Sequence, residues 1–235
     1  MLLTLLACTP EFERVDCDDA EHHCLQGNMF DSIGRGLDGV ELCVDELPDV
    51  PCVVTGSDGS FQLPGLPTTG QFTLLSDREG YEPLVNPFQA ERLPVTQWAS
   101  YMVTDGVSNV QRDSFPVPVE EGLGFVIVDL GRLSSDAPIL WDHVEGGTLG
   151  VESEGDSTVM YLNGLYLPDE DLESTASGGF VAIANVPVGE LAVRAYSPEG
   201  ECDANLQGWD FEVGDPAVAP IQANRTTYFA LECPG

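Results

Sequence analysis

Thr55-Gly56-Ser57-Asp58-Gly59-Ser60-Phe61-Gln62-Leu63-Pro64-Gly65-Leu66-Pro67, followed by Gly70-Gln71-Phe72-Thr73-Leu74-Leu75, is the stretch that decides the fold. Ser57-Asp58-Gly59 is turn chemistry, because Asp bonds its own backbone and Gly accepts the positive φ that tight turns demand. Phe61-Gln62-Leu63 and Phe72 to Leu75 are short apolar runs, each bounded by Gly or Pro, as strands between turns are. Upstream, Val40, Leu42 and Val44 alternate with Glu41, Cys43 and Asp45, the two-residue period of a half-buried strand. Cys52-Val53-Val54-Thr55 reads as the strand that returns from it.

The same grammar returns later in the chain. Ser174-Thr175-Ala176-Ser177-Gly178-Gly179-Phe180 and Asn185-Val186-Pro187-Val188-Gly189-Glu190-Leu191-Ala192-Val193 repeat it, with one-residue changes that loops and bulges absorb. Strands over Leu123 to Leu130, Gly147 to Val151, Val159 to Leu162 and Thr226 to Leu231 complete a second unit. With 235 residues and 43% hydrophobic content, the chain can bury two cores of roughly 80 to 100 residues each. The 25 Gly and 17 Pro favour strands and tight turns. The expected organisation is a first sandwich over 31–92, a linker over 93–114 and a second sandwich over 115–235. Gln97 to Val107 is the best helix candidate in the linker, because Trp98, Tyr101 and Met102 share a helical face. That face is either packed on a sandwich edge or an aromatic ligand platform.

The acids outnumber the bases by 40 to 8, and every base is Arg. Without Lys there is no phosphate-cradling Gly-Lys-Ser loop, no Schiff-base amine, no Ser-Lys pair and no Lys-Asn cross-link. A net charge of -32 repels nucleic acid and anionic membrane surfaces and keeps the protein soluble.

The ordered motifs Gly39-Val40-Glu41-Leu42, Thr55 to Leu63, Gly65-Leu66-Pro67, Gly70 to Leu74 and Gly80-Tyr81 together resemble the carboxypeptidase regulatory-like domain. The resemblance covers residues 33 to 88 and implies an all-β chain: two small transthyretin-like (prealbumin-like) Greek-key β-sandwich domains with a short helix between them. It is a resemblance to an accessory domain, since the His-x-x-Glu ligand pair of zinc carboxypeptidases is absent. Transthyretin-like hydroxyisourate hydrolases close on Tyr-Arg-Gly-Ser, whereas this chain closes on Tyr228-Phe229-Ala230-Leu231-Glu232-Cys233.

At the other end, Leu5-Leu6-Ala7-Cys8 resembles the lipobox of bacterial lipoproteins, which implies acylation of Cys8 and a signal segment over 1–8. Only seven residues precede Cys8, against about 15 to 30 in an export signal, and a start codon placed too late accounts for the difference. Acyl chains would supply the membrane attachment, as no later apolar stretch approaches ~18 residues. Thr9 follows the Cys where Asp would retain the protein at the inner membrane, so the expected location is the outer membrane, facing periplasm or surface. Seven Cys less Cys8 leaves six, an even number that can pair completely. They allow 15 connectivities, and spacing favours a sequential order: Cys17 with Cys24, Cys43 with Cys52, Cys202 with Cys233. Bridges imply an oxidising compartment. Residues 9–30 read as an acidic tether tightened by the Cys17–Cys24 loop.

The remaining constellations are weak. His22 and His23 between Cys17 and Cys24 invite a zinc reading, but an exported Cys pair oxidises, which leaves a disulfide loop with exposed His. Asp169, Asp171 and Glu173 are Ca²⁺ candidates without the Gly and distal Glu of an EF-hand. His143, in Trp141-Asp142-His143-Val144-Glu145, has carboxylates on both sides and no evident nucleophile, and no Gly-x-Ser-x-Gly elbow exists. The expectation is a non-catalytic envelope or cell-surface lipoprotein with binding or structural modules, no catalytic residues and no cofactor apart from the Ca²⁺ option. Its partner would be an envelope protein or a carbohydrate. The alternatives are a hydrolase on the same scaffold and an accessory subunit of an exported peptidase.

Overall fold

The turn residues quoted above punctuate the chain so closely that strands stay short and one helix forms among the described residues. The structure, a computed structural model, describes residues 21–90, 95–133, 141–152, 156–204 and 215–235. The first module contains β1 (His23–Asp31), β2 (Glu41–Val44), β3 (Val53–Val54), β4 (Ser60–Leu66), β5 (Gln71–Asp77), β6 (Leu84–Gln89) and β7 (Val95–Met102), followed by helix α1 (Asp105–Asp113). One layer has the order β4-β1-β7, and the facing layer has β6-β5-β2-β3. Between them lie Leu25, Met29, Leu63 and Met102 from the first layer and Leu42, Phe72, Leu74 and Phe88 from the second. Phe72 stacks on Phe88 with centroids 5.3 Å apart, and Trp98 meets the Phe88 ring edge-on at 5.3 Å.

Two expectations are corrected here. Residues 23–30 are not tether: they form β1, the central strand of the small sheet, whose Leu25 and Met29 are fully buried. Gln97 to Val107 is not one helix. Trp98, Ser100 and Met102 are buried while Tyr101 is 52% exposed, the alternation of a strand, so β7 runs to Met102. The helix begins only after Thr104, whose Oγ1 accepts the Val107 N–H as an N-cap.

The second module contains β8 (Gly124–Leu133), β9 (Trp141–His143), β10 (Thr148–Val151), β11 (Thr158–Tyr161), β12 (Phe180–Val186), β13 (Gly189–Ser197), β14 (Gly200–Ala204), β15 (Ala217–Ile221) and β16 (Thr226–Glu232). The layer β11-β12-β8-β16 faces β10-β13-β15, with Val126, Val128, Leu130, Ile183, Val193 and Phe229 between them. β14 pairs with both β13 and β16 and so ties the layers together.

The modules share a set of turn bonds. Thr55 Oγ1 accepts the Val40 N–H and donates to Leu37 O, while Thr175 Oγ1 accepts the Gly147 N–H and donates to Val144 O. The turn amides match as well, Gly59 N–H to Gly56 O at 2.8 Å and Gly179 N–H to Ala176 O at 2.9 Å. In both modules the first strand pairs parallel with the last, β1 with β7 and β8 with β16. The sequence repeat is therefore a structural duplication.

The two sandwiches are joined through a shared sheet. β16 pairs parallel with β6, Thr226 opposite Leu84 and Thr227 opposite Val85, giving one sheet of 13 strands. Side chains opposite each other point the same way. Leu84 belongs to the first core, whereas Thr226 lies on the outer side of β16, opposite the face that carries core residues Phe229 and Leu231. The two sandwiches thus lie on opposite faces of the common sheet, and the small sheet of the first stands beside the outer face of the second. Asn86 Nδ2 donates to Tyr228 O at 2.9 Å, Arg225 donates to Asp77 at 2.9 Å, and Gln222 donates to Asp45 at 2.8 Å across the join.

Cys43 is bonded to Cys52 and Cys202 to Cys233; Cys24 is disulfide-bonded, and Cys8 and Cys17 lie outside the described residues. Cys43 and Cys52 are nine residues apart, so loop-closure entropy gives their bridge about 2.5 kcal/mol. A Cys43→Ala/Cys52→Ala variant is expected to lose that amount of unfolding free energy in urea, with a lower midpoint; an unchanged midpoint would contradict it.

Candidate functional site

β8 sends Val126, Val128 and Leu130 into the core, so Phe125, Ile127 and Asp129 face outward. A carboxylate in the middle of such a strand needs partners, because burial of an unpaired charge is costly. Asp129, with its side chain 6% exposed, finds them on two neighbouring strands. Its Oδ1 accepts from His143 Nδ1 on β9 at 3.0 Å, and its Oδ2 accepts from the Tyr228 hydroxyl on β16 at 2.9 Å. The His143 ring lies 5.1 Å from the ring of Phe180 on β12, which in turn meets Tyr166 at 5.4 Å. Five side chains from four strands and one loop thus form a continuous row.

Tyr166 is held in a demanding way. Its φ is 60°, the left-handed region that bulky residues avoid at a cost of about 1 to 2 kcal/mol. Asn163 folds the loop by accepting the Leu165 N–H at 2.9 Å on its side chain and the Tyr166 N–H at 2.8 Å on its carbonyl. From the far side, Gln111 of α1 donates to Tyr166 O at 2.9 Å. The ring is left half exposed.

The electrostatics follow from the row. The hydrogen bond to Asp129 raises the His143 pKa above its ordinary value, with burial opposing and the charges of Asp129 and Asp142 adding. Burial pushes the Tyr228 hydroxyl well above the usual phenol range, and the Asp129 charge adds to it. Because Asp129 only accepts, His143 carries its proton on Nδ1 when neutral, which leaves Nε2 as an acceptor. The row can therefore orient a ligand hydroxyl. Among the described residues, no Ser, Thr or Cys side chain hydrogen-bonds His143.

A raised folded pKa means that His143 contributes stability fully below pH 6.5, and the contribution is lost as pH rises through the folded value. The urea midpoint of the protein is expected to exceed that of His143→Gln most below pH 6.5 and to converge with it in alkali. A His143 ring titrating at or below 6.5 by NMR would contradict this.

Other predicted residues lie elsewhere. Asp169 spends Oδ1 on the Asp171 N–H at 3.1 Å and Oδ2 on Asn163 at 3.5 Å. Among the described residues, no group of three or more His, Cys, Asp and Glu side chains is placed to hold a metal ion. His22 lines an open cleft of ≈ 380 Å³ with Glu46 and Asp49. Trp98 and Met102 are core residues, leaving Tyr101 as the exposed aromatic of that trio. The sequence reading missed Asp129, Tyr228 and Tyr166. The available signals were an acid inside the apolar run Phe125 to Leu130 and a Tyr on the small-residue face of Thr226 to Leu231.

No family model matches the sequence, and no curated protein matches it. Among solved structures, the TIE protein of Bacillus anthracis is similar at a TM-score of 0.31 and 11% identity, over 90% of this chain and 34% of that one. A streptococcal ancillary pilin is similar at 0.28 and 12%, over 92% and 63%. BcpA, the major pilin subunit of Bacillus cereus, is similar at 0.30 and 8%, over 90% and 99%. The chain spans about a third of the first of these proteins and less than two thirds of the second.

Proposed function

We propose that this protein is a non-catalytic element of the bacterial cell envelope, built from two carboxypeptidase regulatory-like modules and anchored by acylated Cys8. It serves as a rigid spacer that presents a binding face to an envelope protein or a carbohydrate. The observation that carries this reading is the pairing of β6 with β16, which fuses two sandwiches into one sheet instead of leaving them on a linker. Rigid domains display loops and faces at fixed geometry, which suits presentation to a partner. The His143–Asp129 pair supports the same reading, since its partners are a buried tyrosine and an aromatic ring. No helix among the described residues is long and apolar enough to cross a membrane, so attachment in this proposal rests on the acyl chains.

The test is rotational diffusion. Backbone ¹⁵N relaxation is expected to give one correlation time for both modules, and two separate times would overturn the spacer. Mass spectrometry of the mature amino terminus is expected to show a triacylated Cys8; an unmodified Met1 would end the anchor.

A further inference from the structure

The duplication supplies an internal control for the aromatic row. Matching turn bonds align Met29 with Leu130 and Leu37 with Val144. In the first module, Asn28 then stands at the place of Asp129, Gly36 at that of His143, and Ser60 at that of Phe180. The fold is built without an ion, an imidazole or an aromatic ring at these three positions. The second module carries all three kinds there, together with a strained Tyr166 that its neighbours hold against the row.

We propose that this face of the second module binds a neutral oligosaccharide. The exposed groups are the half-exposed Tyr166 ring and a His143 side chain that is 34% exposed. Asp129 fixes the imidazole orientation but is itself covered, with both oxygens already accepting, so it offers a cation nothing. Anionic ligands are repelled by a net charge of -32. What remains is an uncharged molecule with an apolar face for an aromatic ring and a hydroxyl for one oriented nitrogen, which describes a pyranose ring. Tyr101 of β7, 52% exposed, offers a further aromatic ring on the small sheet of the first module.

The experiment titrates the full chain with cellohexaose, chitohexaose and maltohexaose, following Tyr and His ring signals by NMR. At least one is expected to shift the signals of Tyr166 and His143. Tyr166→Ala is expected to weaken that binding about tenfold, and Tyr166→Phe to restore it, since the ring returns without the hydroxyl. Tyr196→Ala, which removes an exposed ring on β13, is expected to leave binding unchanged. The inference is overturned if none of the three shifts these signals at about 10 mM, or if Tyr166→Ala binds as tightly as the parent protein. It deepens the spacer reading and fails separately from it: a single correlation time without sugar binding sinks only this inference. Sugar binding by two independently tumbling modules sinks only the spacer, and a cleaved oligosaccharide would overturn the non-catalytic assignment.

Discussion

Gly179→Ala is expected to cost about 4 kcal/mol, enough to unfold the second module of a marginally stable protein. Two terms add. The residue sits at φ +70°, which charges any L side chain about 1 to 2 kcal/mol. A Cβ there would also lie 2.5 Å from Leu130 O and 3.0 Å from His143 Cβ. The carbonyl cannot step aside, because Leu130 O holds the Val144 N–H at 2.8 Å while Leu130 N–H is bonded to Gly179 O. Gly39→Ala separates the terms: φ is +75° and nothing lies within 4 Å, so only the backbone cost of about 1 to 2 kcal/mol applies. By duplication, Gly59→Ala repeats the severe case in the first module, its Cβ falling 2.2 Å from Met29 O. Urea unfolding of the three variants decides the matter. Equal losses at Gly39 and Gly179 would mean that the turn does not pack against the strand in this way.

These glycines also show what the sequence could disclose. Gly59 and Gly179 sit in turn motifs whose chemistry is local, so the strands around them were legible from neighbours a few residues away. Gly27 was misread for the opposite reason. It belongs to a strand, β1, and is glycine because a Cβ would meet Trp98 O at 2.2 Å, a contact about 70 positions along the chain that no local pattern reveals. The helical reading of Trp98, Tyr101 and Met102 failed similarly. Their spacing fits both a helical face and a strand with one outward residue, and only the partner strand β1 separates the two. His143 was visible as a histidine between acids, but its partner is Asp129, 14 residues away on the adjoining strand, and not Asp142 or Glu145. A row drawn from β8, β9, β12, β16 and a loop has no linear motif to find.

The join between modules was equally hidden, and its chemistry sets the second large effect: Arg112→Ala is expected to cost about 4 kcal/mol. Glu82, 9% exposed, lies between the modules, where its carboxylate accepts from Arg112 of α1, from Ser108 Oγ at 2.8 Å and from Thr226 Oγ1 of β16 at 2.8 Å. Arg112 also covers the Phe125 ring at 4.7 Å. Removing the guanidinium leaves a buried carboxylate with two hydroxyl donors and no counter-charge, a greater penalty than the loss of a surface ion pair, which is worth at most about 1 kcal/mol. Replacing both partners by apolar groups, Glu82→Leu with Arg112→Met, is expected to recover most of the loss, because neither desolvated charge then remains. The pair would in that case act mainly to specify how α1 docks against β16 and hence how the second sandwich sits on the common sheet. Relaxation measurements should then show one correlation time for the parent and the double variant, and two for Arg112→Ala if the join opens before either core does. A loss below about 1 kcal/mol for Arg112→Ala would place the pair among solvent-screened contacts and leave the β6–β16 pairing to hold the modules alone.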